Sequence, residues 1–270
     1  MSKLSRRRFL LGSLGAGIAT AGVGAYQYGQ ADRLSVERHT LKLPRWDANG
    51  FKIGFISDFH LTTQRSVDRT LEALRLCEQE KPDVIALGGD YTHGHYRSSL
   101  KHVEALLDGI EAVQIPVVGI LGNHDYWWVD PAKLVNTLAS RSLRLLRNQS
   151  TEVGGVTIHG IDDAIAGRDR HDNLGFNHDK NSVCLFHEPD MVRDIDSRYS
   201  VMLAGHSHGG QICMPFGIPV HTPFGARTYI KGFYPDARVP LYVTRGVGTI
   251  GVDRRAFCPP EVSILTLESA

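Results

Sequence analysis

The chain has 270 residues, 42% of them hydrophobic and 22% charged, the balance of a globular protein and not of a disordered or low-complexity segment. With 30 basic and 29 acidic side chains the formal charge is +1, unevenly placed: residues 1–43 hold seven basic and two acidic groups, so the remainder, with 23 basic and 27 acidic, carries −4. A mildly acidic body argues against a nucleic-acid partner held through its phosphates. The four scattered cysteines, with no CxxC among them, exclude a disulfide framework and a cysteine-rich zinc knot.

Ser5-Arg6-Arg7-Arg8-Phe9-Leu10 places a twin-arginine pair ahead of 23 uncharged residues, Phe9 to Ala31, six of them glycine. A basic head with a weakly apolar middle is the pattern of an export signal. Residues 1–31 are therefore expected to engage the twin-arginine export machinery and to bring the protein to the periplasm or the outer face of the cytoplasmic membrane. Val23-Gly24-Ala25 offers a cleavage point. Left uncleaved, the same stretch is long enough to anchor the protein across a ~30 Å hydrocarbon core. Residues 32–43 read as a linker and 44–270 as one domain.

In that domain, Lys52–Ser57 is an apolar run predicted as a buried strand. Val67–Gln79 sets Val67, Leu71, Leu74 and Cys77 close to helical spacing and stops before Lys81-Pro82. A strand at Val84–Leu87, a helix at Leu100–Ile110 and a strand at Val117–Leu121 follow. Asp130-Pro131, a capping side chain before proline at the first helical position, opens a helix to about Ser140. This βαβαβα order implies parallel strands. Beyond it come short strands at Leu143–Arg147, Val156–Gly160, Val183–His187, Val201–Ala204, Leu241–Thr244 and Val262–Leu267, with Gly154-Gly155 as a hairpin turn. Two packed sheets with outer helices is the simplest α/β architecture.

Polar residues stand just past the ends of five of these strands: Asp58-Phe59-His60, Gly89-Asp90, Gly122-Asn123-His124-Asp125, His187, and Gly205-His206-Ser207-His208. Ligands of open α/β sheets gather at carboxyl ends of strands, so these turns are expected to converge. Asp, His and Asn without thiolate favour an oxygen and nitrogen site for Mn, Fe or Zn, and seven candidate ligands suit two ions sharing a carboxylate. Among the other histidines, His93 and His95 follow Asp90 closely enough to reach the pocket but read first as loop residues, and His39, His102, His159, His171, His178 and His221 as exposed or locally hydrogen-bonded. Cys184 reads as packing. Tyr126-Trp127-Trp128 could pack the following helix or line a pocket, and Arg168 and Arg170 read as solvated.

The same series, in this order, resembles the calcineurin-like metallophosphoesterase superfamily over about residues 52–208, including its UDP-2,3-diacylglucosamine pyrophosphatases. The resemblance implies a β-sandwich of two mixed sheets flanked by helices. It implies Asp58, His60 and His208 on one divalent cation, Asn123, His187 and His206 on another, Asp90 bridging, and His124 beside the scissile phosphate as proton donor or transition-state stabiliser. The activity implied is hydrolysis of a phosphodiester or pyrophosphate by a two-metal-activated hydroxide, on a small-molecule or lipid-linked substrate. A phosphomonoesterase with the same core and a non-catalytic metal- or anion-binding module are the alternatives. One position departs from the family pattern: His93 stands where an Asp is common.

Overall fold

In the computed structural model, which describes residues 30–94, 99–139, 142–170 and 180–270, the apolar runs become strands buried on both faces. Strand β1 (Ser35–Leu43) pairs in parallel with β14 (Glu261–Ser269), which runs antiparallel to β2 (Phe51–Ile56). From β2 the sheet continues in parallel through β3 (Val84–Leu87), β4 (Val117–Gly119) and β5 (Leu143–Leu145). The second six-stranded sheet has the order β12 (Gly232–Tyr234), β13 (Leu241–Val243), β9 (Val201–Ala204), β8 (Ser182–Leu185), β7 (Val156–Gly160) and β6 (Gln149–Val153). Its four middle strands are parallel and its two edges antiparallel. A small hairpin, β10 (Cys213–Met214) with β11 (Ile218–Pro219), stands apart. The expected sandwich of two mixed sheets is present.

Period-two alternation sorts the strand side chains into layers. Ile53, Phe55, Val84 and Ala86 meet Val183, Leu185, Val201 and Leu203 between the sheets. The alternate residues Ile56, Ile85 and Leu87 face the helices α1 (Gln64–Gln79), α2 (Ser99–Ala112) and, beyond the single turn α3 (His124–Trp127), α4 (Pro131–Ala139), through Leu74, Leu107 and Leu134. Cys184, Met202 and Val243 form a third layer with Val192 and Ile195 on the outer face of the second sheet. Cys184 thus packs, and all four cysteines are buried and free. Helix α1 starts with a capping box between Thr63 and Ser66. Gly54 lets it lie close to the sheet, since a Cβ there would stand 2.2 Å from Cys77 Sγ.

Two expectations fail here. The linker assigned to residues 32–43 is largely β1, an edge strand whose Glu37, Arg38, His39 and Thr40 stay exposed or half-buried while Leu41 and Leu43 enter the core. Only its last three residues carry the apolar alternation that marks a strand. The Gly154-Gly155 turn is present, with positive φ at both glycines, but its first strand is β6, a polar segment in which only Thr151 is buried. Leu143–Arg147 instead supplies β5 of the other sheet. Of the leader, residues 1–29 lie outside the described residues, as do His95, His171 and His178. Among the described residues no helix is long and apolar enough to cross a membrane.

Candidate metal centre

Parallel pairing aligns the carboxyl ends of β2, β3 and β4 in one sheet and of β8 and β9 in the other. The turns after them carry Asp58 and His60, Asp90, Asn123 and His124, His187, and His206 and His208, and all eight side chains are buried. Potential ligand atoms of Asp58, His60 and His208 lie within 4.8 Å of one another, and so do those of Asp90, His187 and His206. Asp90 joins the groups, its Oδ2 being 3.5 Å from His60 Nε2 and 3.3 Å from His187 Nε2. His208 Nε2 stands 3.4 Å from Asp58 Oδ1 and 3.0 Å from His60 Nε2. Asn123, His124, His206 and His208 also line a cavity that opens beside the cluster.

Five of these residues hold a backbone shape that L-residues avoid: φ is 60° at Asp58, 45° at His60, 59° at Asp90, 66° at His206 and 50° at His208. Each such residue costs on the order of 1–3 kcal/mol and persists only where its surroundings over-determine it. Here the turns are stitched together. Asp58 N–H donates to Gly89 O, His60 N–H to Asp90 O and His206 N–H to Asp58 Oδ1. The buried Asp125 carboxylate accepts from the N–H groups of Asp90, Thr92 and Gly122, each at 3.0 Å. Glycine leaves the carboxylates room: a Cβ at Gly122 would come within 2.4 Å of Asp90 Oδ1, and one at Gly205 within 2.5 Å of Asp58 Oδ2.

Hydrogen bonds at the far side of two rings assign their free lone pairs. His187 Nδ1 donates to Gly88 O at 2.7 Å and His206 Nε2 donates to Phe224 O at 2.7 Å, which leaves Nε2 of His187 and Nδ1 of His206 as the atoms these rings can offer a cation. His187 Nε2, Asp90 Oδ2 and Asn123 Oδ1 are fully buried without a hydrogen-bond partner. Such acceptors are costly to bury unpaired, and divalent cations between them remove the cost. The donor set and its spacing fit a binuclear site.

Burial pushes the Asp58 carboxyl up to about 6, with the neighbouring Asp90 charge adding to it. Burial also pushes Asp90 up, but its pairing with His187 outweighs it and holds Asp90 well below the usual carboxylate range, and the same pairing, against burial, draws His187 well above the usual imidazole range. His60 and His208 are held well below the usual imidazole range, chiefly by burial. Neutral imidazoles are what metal coordination requires.

Around His124 the structure adds what the sequence left unassigned. Trp128 Nε1–H donates to His124 Nδ1 at 2.9 Å, and His93 Nδ1 lies 3.0 Å from the same atom. His93 is therefore part of the site, not a loop histidine. Tyr126 hydrogen-bonds Asp162, which also pairs with Arg147 at 2.9 Å, while Trp127 lines the cavity. Arg168 lies over the Tyr126 ring, and His159 is buried edge-on to Tyr199, not at the surface.

Two supporting residues went unread. Asp125 stood inside the motif, beside His124, with a charge no ligand role required. Arg255 is fully buried and donates to the carbonyls of His208, Gly246 and Gly248, and nothing in Arg254-Arg255 sets it apart from a surface pair.

Comparison with known proteins agrees with this geometry. The metallophosphoesterase YkuE of Bacillus subtilis is 30% identical over 100% of this chain and 99% of its own length. The phosphodiesterase YaeI of Escherichia coli is 29% identical over 98% of this chain and 99% of its own. The crystal structure of TT1561 of Thermus thermophilus shares the fold at a TM-score of 0.50 and 14% identity, covering 73% of this chain and 89% of that one. Residues 51–210 match the model of the calcineurin-like phosphoesterases. Because that span runs from β2 through the His206–His208 turn and takes in the whole cluster, the chain belongs to the calcineurin-like phosphoesterase family.

Proposed function

We propose that the protein is a metal-dependent phosphodiesterase, a reading that extends to pyrophosphate bonds. Two ligand groups joined at the Asp90 carboxylate carry it. Asp58, His60 and His208 would hold one cation, and Asn123, His187 and His206 the other, with Asp90 shared. Manganese, iron or zinc suits this donor set. Two such cations, when bound, supply Lewis acidity that lowers the pKa of water and neutralises phosphoryl charge.

The chain's own residues do the rest. An indole N–H can only donate, so His124 Nδ1 is an acceptor and the proton of the neutral ring sits on Nε2. Burial, the largest influence, keeps this imidazole below its ordinary value and uncharged near neutrality. His124 lines the cavity, so its Nε2–H is available to hydrogen-bond a phosphoryl or leaving oxygen there and to stabilise the charge developing on it. The backbone N–H of His124 donates to Asp90 Oδ1 at 2.9 Å, which ties this residue to the shared carboxylate.

Manganese-loaded enzyme is expected to hydrolyse bis-p-nitrophenyl phosphate faster than p-nitrophenyl phosphate; the reverse order would favour a phosphomonoesterase. The name of the Escherichia coli relative supports the diester. His124→Ala should keep both metals and lose about a hundredfold in turnover. Asp90→Ala should lose metal as well as activity, and two metals bound normally to Asp90→Ala would refute the bridging role. The Arg6-Arg7-Arg8 leader supports twin-arginine export to the periplasm or the outer membrane face. Replacing these arginines with lysine should retain the protein in the cytoplasm, as fractionation would reveal.

A further inference from the structure

The cavity beside the cluster encloses about 490 Å³, and its two ends differ in kind. The cluster residues Asn123, His124, His206 and His208 form its polar floor, while Ile165, Ile212, Pro223 and Ile250 line it alongside the polar Gln211 and His221. Trp127, Val220, Phe224 and Val252 line the mouth and are themselves exposed large apolar residues. The other exposed large apolar side chains among the described residues adjoin this mouth. Met214, Phe216 and Ile218 lie on the β10–β11 hairpin that leads to Val220. Phe257 follows Ala256, which bridges to Ile212 in the cavity wall.

Soluble proteins scatter such residues singly, and a contiguous group marks an interaction surface. The hairpin tip makes the point sharply. Phe216 is 99% exposed with φ at 68°, a backbone shape a bulky residue adopts only under constraint. Charge agrees as well. No acidic side chain occurs from Ser197 to Pro235, while Arg227 lies against the Phe224 ring and Lys231 Nζ donates to Gly217 O in the hairpin turn. Apolar tips flanked by cations suit the anionic, apolar boundary of a lipid bilayer.

We propose that the scissile phosphoester carries a long acyl or alkyl chain, which lies in this apolar groove with its phosphate on the metal-binding floor, and that the β10–β11 hairpin meets the bilayer from which the chain is drawn. The proposal rests on the phosphoester-hydrolase reading and narrows its substrate class. Because residues of the ligand cluster and the exposed apolar side chains line one and the same cavity, its occupant and the substrate would be one molecule. Burying two methylenes is already worth roughly tenfold in affinity.

The test compares methyl and dodecyl p-nitrophenyl phosphate as monomers with manganese-loaded full-length enzyme. The dodecyl ester is expected to have at least tenfold higher kcat/KM, mostly through KM. Val252→Trp, at a half-open rim position that tolerates bulk, should narrow the groove and bring the ratio below three. With the dodecyl ester embedded in vesicles of phosphatidylcholine and phosphatidylglycerol, Phe216→Ser should lower the vesicle-to-monomer rate ratio at least fivefold, the leader being common to both proteins. Equal kcat/KM for the two esters in the wild type would overturn the proposal while leaving the phosphodiesterase reading intact. Hydrolysis of neither ester by metal-loaded protein would overturn that reading itself.

Discussion

At the residue scale, the site depends on how single side chains fix their neighbours. Trp128 pins the tautomer of His124 through one N–H···Nδ1 bond of 2.9 Å. Trp128→Phe keeps the ring and removes the donor. A lost hydrogen bond of this kind is worth about 1 kcal/mol, so kcat should fall roughly fivefold with KM little changed. Because the bond favours neutral His124, its loss should also move the pH dependence of kcat to higher pH. A role in packing alone would change the melting temperature and leave the pH profile in place. Gly122 acts through absence: in Gly122→Ala the new methyl would press on Asp90 Oδ1 at 2.4 Å and His187 Cε1 at 2.8 Å. Metal analysis of the folded variant should show a substoichiometric site.

At the element scale, β1 offers a direct test because strand and linker predict opposite outcomes. Leu43 is fully buried between the sheets, and its strand joins β14 over nine residue pairs. Leu43→Ala should cost about 3 kcal/mol in denaturant unfolding, where a linker residue would cost almost nothing. The same contrast explains what could be read from the chain. Strands buried on both faces, such as Val84–Leu87 and Val201–Ala204, are continuous apolar runs and were legible. The edge strands β1 and β6 bury few side chains and gave little periodic signal, so they read as linker or went unread. Their place comes from long-range pairing, which local pattern does not contain. At the site, the eight residues that the structure brings together were legible because Asp, His and Asn stand just past the ends of apolar strands. His93 was not, since its role follows from meeting His124 in space. Arg255 was invisible for the same reason: a guanidinium that cages carbonyls of the 246–248 loop looks like any other arginine in sequence.

At the scale of the whole molecule, gathering turns from two sheets concentrates buried carboxyl groups, and burial raises the pKa of several of them. Asp125 is pushed up to about 7, first by burial and then by the Asp90 charge. Asp163 is pushed further, to about 10, by burial and by the adjacent buried Glu188 carboxylate. Asp163 Oδ1 accepts from Ala166 N–H at 2.6 Å, while Oδ2 of Asp163 and Oε2 of Glu188 are buried with no other hydrogen-bond partner among the described residues. A proton shared between the two acids reconciles their proximity. Unfolded, Asp163 releases its proton near its ordinary value of 3.8, so between about pH 4 and pH 10 the folded chain binds a proton that the unfolded chain has lost. Stability from this group therefore falls as pH rises across that window. Asp163→Asn supplies an amide N–H to Glu188 without a titrating proton. Its melting temperature should exceed that of the wild type by several degrees at pH 8, and the gap should narrow toward pH 5. Melting curves for the two proteins that stay parallel from pH 5 to pH 9 would mean that Asp163 is ionised in the folded protein and that the shared proton does not exist.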